Sequence, residues 1–299
     1  MTDIDPIAET IHSLLRLAPG TSPAHRALHA KGIVASGHFT ASGELSGLTT
    51  AEHLRDGTVE ALVRFSHPGG DPRVSDAIPS GRGMAVKLTP PAGSHQLVSV
   101  SSPAFLVRDG QAFVELILAR APDPETGEVD PAKIVAFLEK HPEAVPAVEY
   151  AMTAPVPLSY GELTYNGLHT FFFVDDDGAR TPFRYRFAPT IEVAEVEDED
   201  LGPDHLATDL GTRLADGPLD FTLLVVLGED GDELDDPTAI WSPRPAINAG
   251  TLTLTAVVPD AEPVIFDPNN VVPGIEVSDD PILAIRKAVY GLSYAERTR

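Results

Sequence analysis

The sequence predicts an α+β fold built on an antiparallel β-barrel with flanking helices. Strand-like stretches come first, helical stretches follow, strands then resume, and a helix lies near the C-terminus. Strands and helices therefore do not alternate as they do in a parallel α/β sheet. Turns rich in Gly, Pro and Asp separate the short strands, and Asp175 to Gly178 predicts a hairpin turn. No repeat or linker divides the chain, so we expect one domain over residues 1–299.

The N-terminal part of the chain begins with a helix and continues as strands. Apolar residues at helical spacing predict the helix over residues 4–17, and Ala18-Pro19-Gly20 ends it. Stretches rich in alternating and β-branched residues then predict the first group of strands. These strands cover residues 27–40, 59–66, 82–89 and 96–101.

The remaining elements follow from the same patterns. Two helices are predicted over residues 109–121 and 131–152, and Pro142 and Pro146 interrupt the second. A final helix is predicted over residues 279–296. Between these helices lies the second group of strands, which covers residues 163–174, 181–187, 219–227 and 251–258.

The composition narrows the classes of function. Asp and Glu total 45 and Lys and Arg total 21, which gives a net charge of -24. Such a chain repels phosphate backbones and anionic lipid, so we exclude binding to nucleic acid and to membranes. The chain has no cysteine, which excludes disulfides and cysteine nucleophiles. The N-terminal residues lack a signal-peptide pattern and no apolar run could span a bilayer, so we expect a soluble, cytoplasmic protein.

The most informative residues lie on the last predicted helix. Arg286 and Tyr290 are four residues apart and share one helix face, and Arg297 lies two turns further along that face. A guanidinium beside a phenol favours the charged phenolate, which is a hard anionic ligand suited to ferric iron. The Arg-x-x-x-Tyr spacing alone also fits an ordinary helix with a packed tyrosine, so the longer run decides the interpretation.

That longer run resembles the proximal haem motif of catalases. It begins with Pro273-Gly274-Ile275-Glu276 and continues through a Ser two residues after the Glu, Asp280 and Leu283 to Arg286 and Tyr290. The resemblance implies haem b as the cofactor, with Tyr290 as the iron ligand and Arg286 as its partner.

A second resemblance lies near the N-terminus. The run from Arg26 to Gly32, Arg-Ala-Leu-His-Ala-Lys-Gly, resembles the strand that carries the distal histidine of catalases. The resemblance implies that His29 is the acid–base above the iron and that Arg26 reaches a haem propionate. Side chains alternate along a strand, so Arg26 and His29 are expected on opposite faces unless the strand twists or bulges.

Further motifs match the family in the same chain order. Val63-Arg64-Phe65-Ser66 resembles the family's Arg-Phe-Ser. This resemblance implies that Arg64 binds a haem propionate and that Ser66 hydrogen-bonds the distal histidine. Arg297 is expected to be a further propionate partner. The run from Arg82 to Leu88 resembles Arg-Gly-Phe-Ala-Val-Lys-Phe. The run from Ser102 to Asp109 resembles Thr-Pro-Val-Phe-Phe-Ile-Arg-Asp, which implies that Phe105 stacks near the haem.

The last motif completes the proximal side. Gly167-Leu168-His169-Thr170-Phe171 resembles Gly-Ser-His-Thr-Phe, which implies a hydrogen-bond network of His169 with Asp280 and Arg286. The resemblance covers about residues 23 to 297. We therefore expect the minimal haem barrel, without the N-terminal arm, the wrapping segment and the C-terminal extra domain of large catalases. A homodimer is left open.

One position departs from the family pattern. Val100 matches the distal asparagine of catalases and offers no hydrogen bond, and Ser99 or Ser101 is left open as its replacement. We therefore expect a haem peroxidase that reduces hydrogen peroxide or organic hydroperoxides, oxidises small organic donors and has weak catalase activity. Two alternatives stay open: a hydroperoxide-rearranging enzyme of the allene oxide synthase type, and a non-catalytic haem-binding barrel.

Overall fold

The computed structural model describes residues 5–123, 125–191, 201–259 and 264–299. Alternating apolar residues form the strands within these ranges, and each strand buries one of its faces. The strands are β1 (Gly32–Ala41), β2 (Thr58–Ser66), β3 (Gly83–Thr89), β4 (His95–Val100), β5 (Tyr165–Val174), β6 (Arg180–Pro189), β7 (Leu219–Leu227), β8 (Ile247–Val258) and β9 (Ile275–Val277).

Eight of these strands close into an antiparallel barrel. The order of neighbours is β4-β3-β2-β1-β8-β7-β6-β5, and β4 pairs with β5 where Val100 meets Asn166, which completes the ring. Strand β9 pairs with residues 171–173 of β5, on the edge opposite β6. The predicted antiparallel barrel with flanking helices is therefore confirmed.

The barrel interior is filled with side chains and is not a channel. Phe65 stacks on Tyr160 with ring centroids 4.9 Å apart and packs against Phe221 at 6.0 Å. Large aromatic and aliphatic residues from all sides fill the remaining space, as expected for a small barrel. The ring of strands therefore encloses the main hydrophobic core.

Helices flank the barrel. They are α1 (Pro6–Arg16), α2 (Glu52–Arg55), α3 (Gly110–Ala119), α4 (Pro131–Lys140), α5 (Val145–Thr153), α6 (His205–Asp216) and α7 (Pro281–Arg297). Helix α1 packs against α3 and α7. Helix α7 starts sharply because the Asp280 carboxylate accepts from the Ile282 N–H at 2.8 Å and Pro281 fills the first turn.

Some observed elements differ from the predicted ones. The helix predicted over residues 131–152 is interrupted at Pro142 as expected, by a 3-10 turn at Pro142–Ala144 between α4 and α5, whereas Pro146 lies in the first turn of α5 and interrupts nothing. Helix α6 was not predicted, although Leu206, Leu210 and Leu214 give its buried face the right spacing. Elements α2 and β9 were also missed. The first predicted helix starts at Pro6, and Ile4 lies outside the described residues.

The largest correction concerns the residues before β1. The strand predicted over residues 27–40 begins only at Gly32. His29 has a φ of 55°, in the left-handed region that residues other than glycine rarely adopt. The N–H groups of His29 and Ala30 donate to the carbonyls of Pro68 and Gly69, in the loop after β2. Residues 26–31, the distal segment, are therefore an irregular stretch.

Candidate active site

An open cavity lies between the barrel wall and helices α1 and α7. On β2, Arg64 and Ser66 face the cavity while Phe65, between them, faces the barrel core, so the cavity lies on the outer side of the barrel. The predicted site residues that line it are Arg26, His29, Arg64, Ser66, Val100, Arg286, Tyr290 and Arg297.

Helix α7 supplies the proximal face of this cavity, centred on Tyr290. The Tyr290 phenolic oxygen accepts two hydrogen bonds from one guanidinium, from Arg286 Nη2 at 2.6 Å and from Arg286 Nε at 3.0 Å. The two residues meet because they are one helical turn apart. These two hydrogen bonds hold the Tyr290 oxygen in place at the cavity surface, where it acts as an acceptor.

A buried chain of polar groups holds Arg286 from behind. Arg286 Nη1 lies 2.6 Å from His169 Nε2, and His169 Nδ1 lies 2.6 Å from an Asp280 carboxylate oxygen. A guanidinium only donates, so Nε2 is the acceptor and Nδ1–H donates to Asp280. Burial lowers the pKa of His169, and Arg286 adds to that effect against the opposing pull of Asp280. The predicted network of these three residues is therefore present in the structure.

Phe105 lies next to this chain and is not among the residues that line the cavity. Its ring centroid is 5.8 Å from that of His169, and the Arg286 guanidinium carbon lies 5.9 Å from its ring. The Phe105 N–H donates to the Pro237 carbonyl at 3.0 Å, which anchors the backbone at this residue. Phe105 therefore packs behind the proximal residues.

The distal face of the cavity carries His29. Its Nδ1 lies 2.9 Å from the Ser66 hydroxyl, at the end of β2. A Cβ atom on Gly83 would lie 2.8 Å from Ser66 Oγ and 2.9 Å from His29 Nδ1, so only glycine leaves room for this pair. Desolvation in the cavity, together with Arg64 and Arg286, lowers the pKa of His29 to about 3. Sequence reasoning matched the Gly83 motif but did not single out this role.

Arg26 and His29 both line the cavity, against the expectation for a strand. Their common side follows from the irregular backbone of the distal segment. Arg26 donates to the Val264 carbonyl at 2.7 Å, and Arg64 donates to the Ala30 carbonyl at 3.2 Å. Arg297 donates to the Ser293 carbonyl at 3.2 Å. Among the described residues that line the cavity, four are arginines and none is Asp or Glu.

The family model described as Catalase matches residues 22–299. The chain belongs to the catalase family. The catalase-related peroxidase of Mycolicibacterium paratuberculosis is 37% identical over 297 residues, which cover 95% of this chain and 92% of the relative. That of Synechococcus elongatus is 34% identical, over 94% of this chain and 85% of the relative.

Solved catalases have the same fold. A fungal catalase superposes with a TM-score of 0.81 at 23% identity, and a bacterial catalase with 0.82 at 24%. Each match covers 91% of this chain but only 59% and 57% of the solved chains, respectively. No helix in the described ranges has both the length and the apolar character needed to cross a bilayer.

This catalase-family chain has an apolar side chain where the distal pocket borders β4. Val100 lines the cavity and pairs with Gly83 across the β3–β4 ladder. Ser99 donates its hydroxyl to the Met84 carbonyl at 2.8 Å, and the Ser101 hydroxyl accepts from the Arg82 N–H at 2.9 Å. Each serine hydroxyl thus has one backbone partner, and Ser99 also lines the cavity.

Proposed function

We propose that the protein is a haem-dependent peroxidase, active as a single domain over residues 1–299, that reduces hydrogen peroxide or organic hydroperoxides while oxidising small organic donors. Two relatives of similar length, 34% and 37% identical, are catalase-related peroxidases. The observation that carries the proposal is the pairing, within one cavity, of the Asp280–His169–Arg286–Tyr290 chain with the His29–Ser66 pair.

The residues around the cavity fit haem b. The described lining combines four arginines with apolar walls, which suits an apolar ligand that carries acid groups. Arg26, Arg64 and Arg297 would hold the two propionates, and Tyr290 would bind the iron. Bound haem iron would supply the redox chemistry that cleaves the peroxide O–O bond.

On the proximal side, the protein's task is orientation. Arg286 holds the Tyr290 oxygen with two hydrogen bonds, His169 holds Arg286, and Asp280 holds His169. Asp280 also caps α7, so the same carboxylate fixes the helix and the polar chain. Neighbouring groups of this kind orient a metal ligand and set its basicity.

On the distal side, the protein's task is proton transfer. We assign His29 the tautomer in which Nδ1–H donates to Ser66, which leaves Nε2 as the basic nitrogen. A neutral His29 at pH 7 follows from its low pKa of about 3. His29 Nε2 would take a proton from one oxygen of the peroxide and return it to the other oxygen, which leaves as water or, from an organic hydroperoxide, as an alcohol.

Haem reconstitution with activity assays tests this proposal. We expect one haem per chain by absorption titration, and hydrogen-peroxide-dependent oxidation of an aromatic donor such as guaiacol. Consumption of a fatty-acid hydroperoxide without any donor would instead favour the rearranging enzyme. Haem-replete protein without peroxide-dependent oxidation would favour a non-catalytic barrel, for which the His29–Ser66 pair has no use.

A further inference from the structure

Helix α1 forms part of the cavity wall, although it precedes the residues matched by the family model. Leu15, near its C-terminal end, is 6% exposed and lines the cavity. Ala27 of the distal segment and Val289 of α7 line the cavity too, and all three belong to one cluster of buried apolar side chains. The wall is thus one packed unit drawn from three elements.

The next residue, Arg16, connects α1 by hydrogen bonds to α7 and to the backbone that leads into the distal segment. Its Nε donates to Glu296 of α7 at 2.7 Å, and its Nη1 and Nη2 donate to the carbonyls of Ser22 at 2.8 Å and His25 at 2.9 Å. Glu296 directly precedes Arg297, and His25 directly precedes Arg26. One guanidinium thus joins the end of α1 to the residues that directly precede two of the cavity arginines.

The contacts of α1 decide whether this wall stays closed. An isolated helix of 11 residues is marginal in water, so α1 keeps its place through packing and through Arg16. The Arg16 and Glu296 side chains are 12% and 28% exposed, so their charge-assisted bond is less screened than an open surface pair. Local detachment of a single short helix costs less free energy than global unfolding, and detachment of α1 would open the edge of the cavity.

We propose that α1 is a haem-retaining wall, in which Leu15 contacts the cofactor and Arg16 is a positioning residue that holds the wall against the distal segment and α7. This inference rests on the proposed haem function. It assigns a binding role to a helix that the proximal and distal motifs do not include. If the inference is correct, weakening this wall accelerates haem release by more than the accompanying loss of fold stability explains.

Haem transfer from the ferric, haem-loaded full-length protein to excess apomyoglobin tests the inference. Leu15→Ala is compared with Ile11→Ala, which truncates a fully buried residue of the same cluster that does not line the cavity. Arg16→Met is compared with Arg213→Met, which breaks an i,i+4 pair with Asp209 on α6. Thermal midpoints of the haem-free variants report general stability, and Leu15→Val is the milder substitution if Leu15→Ala fails to fold.

We expect Leu15→Ala and Arg16→Met to release haem roughly tenfold faster than the parent, a factor that corresponds to about 1.4 kcal/mol. Ile11→Ala and Arg213→Met should release it at close to the parent rate, even where their midpoints fall. Equal acceleration by Leu15→Ala and Ile11→Ala, or parent-like release from Leu15→Ala or Leu15→Val, would overturn the inference while leaving the haem function intact. A parent that takes up no haem would overturn the proposed function itself, and the inference with it.

Discussion

Each side of the cavity has a histidine, His29 in the distal lining and His169 buried behind the proximal lining, and the protein binds the two differently. On the proximal face, His169 has both ring nitrogens engaged, one by Asp280 and the other by Arg286. On the distal face, the hydrogen bond of His29 to Ser66 uses Nδ1 only. His169 is 1% exposed, whereas His29 is half-buried at the cavity surface. A histidine with both nitrogens engaged can only orient its neighbours, whereas one with a nitrogen facing a cavity can exchange a proton with a substrate.

The backbone is regular on the proximal side of the cavity and irregular on the distal side. Tyr290 and Arg286 stand on a regular helix whose start is fixed by a capping carboxylate and a proline. His29 stands on an irregular segment with a left-handed φ of 55°, anchored by backbone hydrogen bonds to the loop after β2. Left-handed backbone in a residue other than glycine costs about 1–3 kcal/mol and persists where the surroundings enforce it. The comparison predicts that proximal changes act on cofactor binding and distal changes on reaction rate.

The largest effect should come from Tyr290→Phe. Removing the oxygen that Arg286 orients should abolish the iron–phenolate absorption features, so that haem is lost or bound through another ligand. The measurement is the absorption spectrum after haem titration. Tyr294→Phe, one turn further on and outside the cavity lining, is the matched control and should keep the parent spectrum. An unchanged spectrum in Tyr290→Phe would remove this residue from iron binding.

The second prediction tests the distal face. His29→Ala should keep haem but slow peroxide reduction by roughly two to four orders of magnitude, the usual contribution of a positioned acid–base. Stopped-flow mixing with hydrogen peroxide measures this rate. His25→Ala, at an exposed position nearby, should react like the parent. Equal rates in His29→Ala and the parent would exclude His29 from the mechanism.

The pH dependence of donor oxidation is a second test of His29. Its pKa is lowered from 6.5 to about 3, so the neutral form that accepts a proton persists as the pH falls below 6.5 and is lost only near 3. Donor oxidation in folded protein should therefore hold between pH 7 and pH 5. A rate that halves near pH 6.5 would mean that His29 is solvated like a free imidazole.

Much of this arrangement could be predicted from the sequence. Strands β5 to β8 have clear alternation, and the spacing of Arg286 and Tyr290 on a helix follows from local periodicity. The meeting of His169 with Arg286 joins residues 117 positions apart, and only the family resemblance suggested it. The conformation of His29 was not predictable, because its backbone partners are the carbonyls of Pro68 and Gly69 in a distant loop.

The same limit applies to the cavity wall. Leu15 has the pattern of an ordinary core residue, and it becomes a lining residue only because α1 packs beside Ala27 and Val289. Glycine is required at position 83 because His29 and Ser66 come too close for a Cβ atom, and not because the backbone there has a positive φ. Residues whose role arises from packing between distant segments carry no local signal, whereas those whose role follows helix or strand periodicity do.

The third prediction sharpens the account of the proximal chain. Asp280 uses one carboxylate oxygen for the Ile282 N–H and the other for His169. Asparagine has a single acceptor oxygen, so Asp280→Asn loses one of these bonds and the charge, and should destabilise the fold by about 3 kcal/mol in denaturant unfolding. Asp109→Asn, a helix cap with no histidine partner, should be nearly neutral. Equal effects of the two substitutions would show that Asp280 matters only as a cap.

The smallest expected effect, and the one that separates peroxidase from catalase, concerns Val100. Oxygen evolution requires a second peroxide molecule whose two hydrogens both leave, so two polar anchors orient it better than His29 alone. A neutral hydrogen bond contributes about 0.5–1.5 kcal/mol, so Val100→Asn should raise oxygen evolution about twofold to tenfold relative to aromatic donor oxidation.

A control variant tests whether the effect is specific to that position. Val98→Asn puts the same amide elsewhere in the cavity lining and should leave the ratio of the two activities unchanged. An oxygen electrode and a donor assay on the same haem-loaded samples give that ratio. If Val98→Asn raises it as much as Val100→Asn, polarity of the pocket matters rather than placement. If neither substitution changes it, the distal face limits oxygen evolution by something other than a missing anchor at Val100.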